Sequence, residues 1–116
     1  FYKGITNTAV HNCTLWNING SVLAKSTFKY ETPSGWQQVL FSSPVLISAN
    51  KQYIASYYST GVFSYSGNFF TTQLDNPPLH APACSVGTSR MNGRFIYSAV
   101  SAFHQQIVIQ TTTLLM

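Results

Sequence analysis

From Val22 to Tyr30 the side chains alternate: Val22, Ala24, Phe28 and Tyr30 fall on one side of an extended chain, and Lys25, Thr27 and Lys29 on the other. A period of two predicts a strand with one face buried. Similar short runs recur at Thr14 to Ile18, Trp36 to Phe41, Val45 to Ile47, Gln52 to Tyr58, Val62 to Tyr65, Arg94 to Ala99 and Ile107 to Thr113. β-branched and aromatic residues dominate them, and no long window carries apolar residues at helical spacing. Asn19-Gly20, Thr32-Pro33-Ser34-Gly35 and Ser48-Ala49-Asn50 supply turns, the second of them joining neighbouring strands or a hairpin. The pattern predicts an all-β fold, an antiparallel β-sandwich of jelly-roll type. The exception is 67–93, where Asn76-Pro77-Pro78, Pro82, Gly87 and Gly93 interrupt any alternation and predict one long ordered loop.

At 116 residues the chain fits a single domain, 1–116, able to bury about two thirds of its unfolded surface. Charged residues are only 7% of it, against about 25% in ordinary proteins. Ser, Thr, Asn, Gln and Tyr replace them, giving a neutral polar exterior suited to assembly, adhesion or glycan contact. The net charge of +4 reflects a shortage of acids, Glu31 and Asp75 being the two present. The six basic residues are scattered, so no nucleic-acid footprint forms. No segment has the roughly 20 apolar residues of a membrane-spanning helix, and no signal segment opens the sequence, which predicts no membrane insertion.

Cys13 and Cys84 are the two cysteines. An even count in a small charge-poor chain predicts a disulfide in an oxidising compartment, worth about 4 kcal/mol for a loop of that length. His11-x-Cys13 and His80-x-x-x-Cys84 also make a two-plus-two set of zinc-type ligands, so metal and free thiols stay open beside the bridge. Asn12-Cys13-Thr14 and Asn19-Gly20-Ser21 satisfy the N-glycosylation pattern at Asn12 and Asn19.

Ordered motifs then extend along the first hundred positions: Phe1-Tyr2-Lys3-Gly4, His11, Leu15-Trp16, Glu31-Thr32, Ser34-Gly35-Trp36-Gln37, Phe41-Ser42, Ala55-Ser56-Tyr57, Pro78-Leu79, Asn92-Gly93 and Tyr97. They resemble the bacterial family called domain of unknown function 4082. The resemblance implies a β-sandwich module of secreted and surface proteins, often beside immunoglobulin-like or carbohydrate-active domains, with no catalytic residues. It places Glu31 in a turn motif and His11 and His80 where members also tend to carry histidine. Members usually have one or two strands before the Phe-Tyr-Lys-Gly motif, so the resemblance implies a domain lacking its first strand. In place of their closing Tyr-Trp-Val-Asp-Val strand stands a segment containing Ile107, Val108, Ile109, Thr111 and Thr113. That segment either closes its own domain or exchanges into a neighbour, since unpaired edges recruit strands. The two cysteines are not part of the family pattern.

Little in the chain converges for chemistry. Glu31 with Asp75 is a formal acid pair for glycoside hydrolysis. Cys13 or Cys84 with His11, His80 or His104 is a formal nucleophile pair, with nothing to orient the base. Structural roles are expected for all of them, with no catalytic residue, metal or cofactor. Aromatic residues, 15% of the chain, offer sugar-stacking candidates in Trp16, Trp36, Tyr57, Tyr58, Phe63 and Tyr65. Both tryptophans read as mainly core, and adjacent Tyr57 and Tyr58 must point to opposite faces, which puts one outside. The sequence therefore predicts a non-catalytic extracellular structural or adhesive module at the cell surface, self-assembling or filament-forming. Its expected partners are other copies of itself or neighbouring surface domains. The alternative is a carbohydrate-binding module using Tyr57, Tyr58, Tyr65 and Trp36.

Overall fold

A computed structural model describes residues 1–84 and 92–103. Among the described residues seven strands run in chain order: β1 (Tyr2–Lys3), β2 (Asn12–Asn17), β3 (Val22–Thr27), β4 (Gly35–Trp36), β5 (Tyr53–Tyr58), β6 (Leu74–Asn76) and β7 (Leu79–Ala81). All pairings are antiparallel, and no helix occurs among the described residues. The fold is all-β. Its chain forms two compact units, one comprising Phe1–Ser64 with Ser98–Phe103, the other Tyr65–Tyr97.

The first unit is built on a three-stranded sheet in the order β3-β2-β5. The central strand β2 has consecutive buried residues, Thr14, Leu15 and Trp16, so both faces of the sheet are covered. On one face Trp16 Nε1 donates to Ser56 Oγ at 2.9 Å and its ring meets Phe103 at 5.6 Å. Thr14 Oγ1 shares a hydrogen bond with Ser101 Oγ, and the Tyr58 hydroxyl donates to the Ala99 carbonyl, so the 98–103 segment covers this face. On the other face Tyr57 stacks on Phe1 with centroids 4.4 Å apart, and Phe1 meets Phe28 edge-on. The register between β2 and β3 shifts at Leu15/Trp16, where Leu15 opposes Ala24 and Trp16 opposes Val22. The bulge leaves Val22 and Leu23 exposed, against the expectation that Val22 faces the core.

β1 and β4 form a separate two-stranded ribbon. The turn at 32–35 therefore does not close a hairpin, because β3 pairs with β2 and β4 pairs with β1. Tyr30 ends the expected alternation: at φ 58° it leaves the strand conformation and is fully exposed. The expected strands at Val45 to Ile47, Val62 to Tyr65 and Arg94 to Ala99 are irregular. Ile107, Val108, Ile109, Thr111 and Thr113 lie outside the described residues, as does His104.

The second unit corrects the expectation of one long loop. Within 67–93, β6 and β7 form a hairpin whose connection carries the cis Pro77-Pro78 bond. Phe70 is completely buried and packs edge-on against Phe69 at 5.1 Å. Cys84 N donates to the Phe70 carbonyl at 2.8 Å, and Asn92 Nδ2 donates to the Pro82 carbonyl.

Two turns depend on glycine for different reasons. Gly20 lies in the β2–β3 turn at φ 88°, and a β-carbon there would sit 2.9 Å from the Phe103 ring. Gly35 has φ 99° with open space around it. Positive φ alone costs a side-chain-bearing residue about 1–3 kcal/mol. Gly20→Ala is therefore expected to destabilise the protein more than Gly35→Ala, the latter showing the backbone cost alone. Urea unfolding of both variants checks this, and equal losses would remove the Phe103 contribution.

Candidate functional site

The β1–β4 ribbon has two unlike faces, and alternation along β1 creates them. Phe1 and Lys3 point inward and are each 8% exposed, while Tyr2 between them is 46% exposed. Tyr2 opposes Trp36 across the ribbon. Their rings meet at 5.6 Å and 83°, and Trp36 is 53% exposed. Trp36 thus departs from the core role expected of it, because the two-residue β4 turns its side chain to the outer face. The inner face is filled by Phe1, Lys3 and Gln37, the last of which is also buried. Gln37 holds the turn before β4: its Oε1 accepts from Thr32 N, and its Nε2 donates to Thr32 Oγ1 and the Gly35 carbonyl.

Beneath the ribbon lies an ionic network. His11 is fully buried, and its Nδ1 donates to both Glu31 oxygens, at 3.0 and 2.9 Å. Lys3 Nζ reaches Glu31 Oε2 at 2.9 Å, with the Lys and Glu side chains about a tenth exposed. Burial pushes the Glu31 pKa up, but the hydrogen bonds from Lys3 and then His11 outweigh it and leave the carboxyl below its ordinary value. Phe1 packs against the His11 ring at 4.5 Å, and burial raises the Tyr57 hydroxyl to about 12. Sequence reasoning missed this network, although a signal existed: a glutamate drawn into a charge-poor fold must find a cation. Asn7 Nδ2 and His11 Nε2 are buried without hydrogen-bond partners.

In the second unit Asp75 accepts from His80 Nδ1 and from Gln73 Nε2, on the exposed hairpin. The His80 hydrogen bond lowers the Asp75 pKa most, and solvent screens the pair strongly. Glu31 and Asp75 therefore lie in different units, each held by its own histidine.

The remaining sequence candidates are scattered. The expected bridge between Cys13 and Cys84 is absent, both being free thiols, one in each unit. Cys13 sits on β2 opposite Ser26 and Tyr57, and burial raises its thiol pKa, which disfavours the nucleophilic thiolate. The Cys84 thiol donates to the Asn92 carbonyl. No three His, Cys, Asp or Glu side chains among the described residues come together to hold a metal. Asn12 is on the central strand, its Oδ1 accepting from Thr27 Oγ1, whereas Asn19 is exposed in the β2–β3 turn. Tyr57 and Tyr58 do point to opposite faces, but both faces are covered and neither residue is fully exposed. Tyr65 is 60% exposed in the second unit. A groove of about 300 Å³ runs beside Asn12, Thr14, Lys25, Thr27 and Ser101. Its Thr14–Ser101 and Thr27–Asn12 pairs are already bonded to one another, which leaves few polar groups for a ligand.

Residues 1–113 match the family described as Domain of unknown function (DUF4082). The chain belongs to the DUF4082 family. No curated protein and no solved structure matches it significantly. Phe1, Lys3, His11 and Glu31, all inside the matched range, meet in one cluster of this fold, while Tyr2 and Trp36 form its outward counterpart. No helix among the described residues of the DUF4082 chain is long and apolar enough to cross a membrane.

Proposed function

We propose that this DUF4082 domain is a non-catalytic structural or adhesive module of an extracellular or cell-surface protein, its sheets stacked as a sandwich and its copies associating through exposed strands. One observation carries the non-catalytic part: both acids of the chain are engaged internally, Glu31 by Lys3 and His11, Asp75 by His80 and Gln73. General acid–base chemistry needs a titratable group within reach of a substrate. Glu31 is enclosed by its partners, and Asp75 stands on an exposed hairpin with no second acid beside it. The Phe1–Tyr57 stack between ribbon and three-stranded sheet supports a two-layer arrangement. The extracellular part rests on the charge-poor composition and not on the cysteines, which are free.

Association is supported by β3, which among the described residues pairs with β2 alone at the edge of the three-stranded sheet and carries exposed Val22 and Leu23. Such edges pair with other chains unless blocked. Sedimentation velocity over a wide range of concentrations is expected to show species larger than the monomer, reduced by Leu23→Lys. A monomer at every concentration would remove association. Turnover of a chromogenic glycoside, ester or peptide by the purified protein would remove the non-catalytic reading.

A further inference from the structure

The geometry points to a carbohydrate-binding site on the outer face of the β1–β4 ribbon, where Tyr2 and Trp36 receive the apolar face of a neutral sugar. Rings exposed by about half are unusual for tryptophan, whose burial is ordinarily high. Here the exposure is imposed by register. Tyr2 opposes Trp36 while their chain neighbours Phe1, Lys3 and Gln37 occupy the inner face. The two ring planes stand at 83° and form a corner. A pyranose lying on one ring through its axial C–H groups meets the other at its rim, and hydroxyls at the sugar's edge stay in water or reach the adjoining Thr32–Ser34 turn.

Size and charge select the occupant. An aromatic side chain buries about 150–250 Å² when fully enclosed, so two half-exposed rings offer on the order of 200 Å². A stable protein interface needs about 800 Å² from each partner. The pair is too small to seat a protein and matches the face of one or two sugar units. The cationic side chain of the ribbon, Lys3, is turned inward and paired with Glu31, so it offers an acidic sugar nothing. Such a site goes beyond the structural role proposed above and does not depend on self-association.

Affinity electrophoresis of the purified protein in gels containing laminarin, hydroxyethylcellulose, xylan, galactomannan, glycol chitin or, as an acidic arm, polygalacturonate tests it. Retardation by at least one neutral polymer is expected. Trp36→Ala should weaken it by about tenfold, the value of one stacked ring. Tyr2→Ala should weaken it less, and Trp36→Phe should restore part of it, which separates loss of the ring from loss of the fold. Trp16 is 5% exposed and is the only other tryptophan, so a sugar-induced change in tryptophan fluorescence should vanish in Trp36→Phe. No retardation by any neutral polymer, retardation by polygalacturonate alone, or undiminished binding by a folded Trp36→Ala would each overturn the site. Sedimentation of the same variants separates this failure from a failure of self-association.

Discussion

Trp16→Ala is expected to destabilise the protein by about 4 kcal/mol, within the range for truncating a buried aromatic residue. Trp16 is 5% exposed on the central strand, donates to Ser56 Oγ and packs against Phe103. Removing it leaves a cavity under the 98–103 segment and deprives the buried Ser56 hydroxyl of its donor. In a domain of this size the loss corresponds to a fall of roughly 15 °C in Tm. Trp16→Phe keeps most of the packing and loses the N–H, so it should fall between the alanine variant and wild type. Thermal and urea unfolding followed by circular dichroism measure both. A loss below about 1 kcal/mol for the alanine variant would show that the 98–103 segment does not seal this face.

Glu31→Gln is expected to cost about 3 kcal/mol, the low end for breaking a buried pair, because Lys3 is left enclosed without its countercharge. Lys3→Met combined with Glu31→Gln should be less destabilised than Glu31→Gln alone, since the double variant buries no unpaired cation. The pH dependence has a fixed sign. Glu31 has a folded pKa below its unfolded value, so its contribution is fully present above the ordinary carboxylate range near about 4.3 and is lost as pH falls through the depressed value. The stability gap between wild type and Glu31→Gln should therefore close on acidification below about pH 4.3. A gap that widens in acid would contradict the network. Asp75 shifts in the same direction but is exposed, and it adds little.

Local alternation makes the three-stranded sheet legible: β2, β3 and β5 lie within the expected runs or a residue or two beyond them, and Asn19-Gly20 supplies the β2–β3 turn. The ribbon is harder to read. β1 and β4 have two residues each, too short for any period, and their pairing joins segments far apart in the chain. The β6–β7 hairpin is hidden because Asn76-Pro77-Pro78 reads as irregular chain, yet the two prolines are the connection itself. The bulge at Leu15/Trp16 reverses the expected orientation of Val22, since one extra residue on β3 moves the side chains beyond it to the other face. Among site residues, the sequence offers Trp36 for stacking yet favours the core for it, and gives no sign of its partner Tyr2. Both errors have one cause: exposure at the ribbon depends on which side chains fill its inner face, and no local window contains them. The Cys13–Cys84 bridge rests on an even count in a small charge-poor chain, and neither says which unit each cysteine enters.

Consecutive residues of β1 have opposite destinies, and this ties display to cohesion. Were β1 to slide by a single position along β4, the ammonium group of Lys3 would turn to water and the Tyr2 ring would turn to the interior. The grip of Glu31 on that ammonium opposes such a slide, so a carboxylate held beneath the ribbon decides which way the outer rings are aimed.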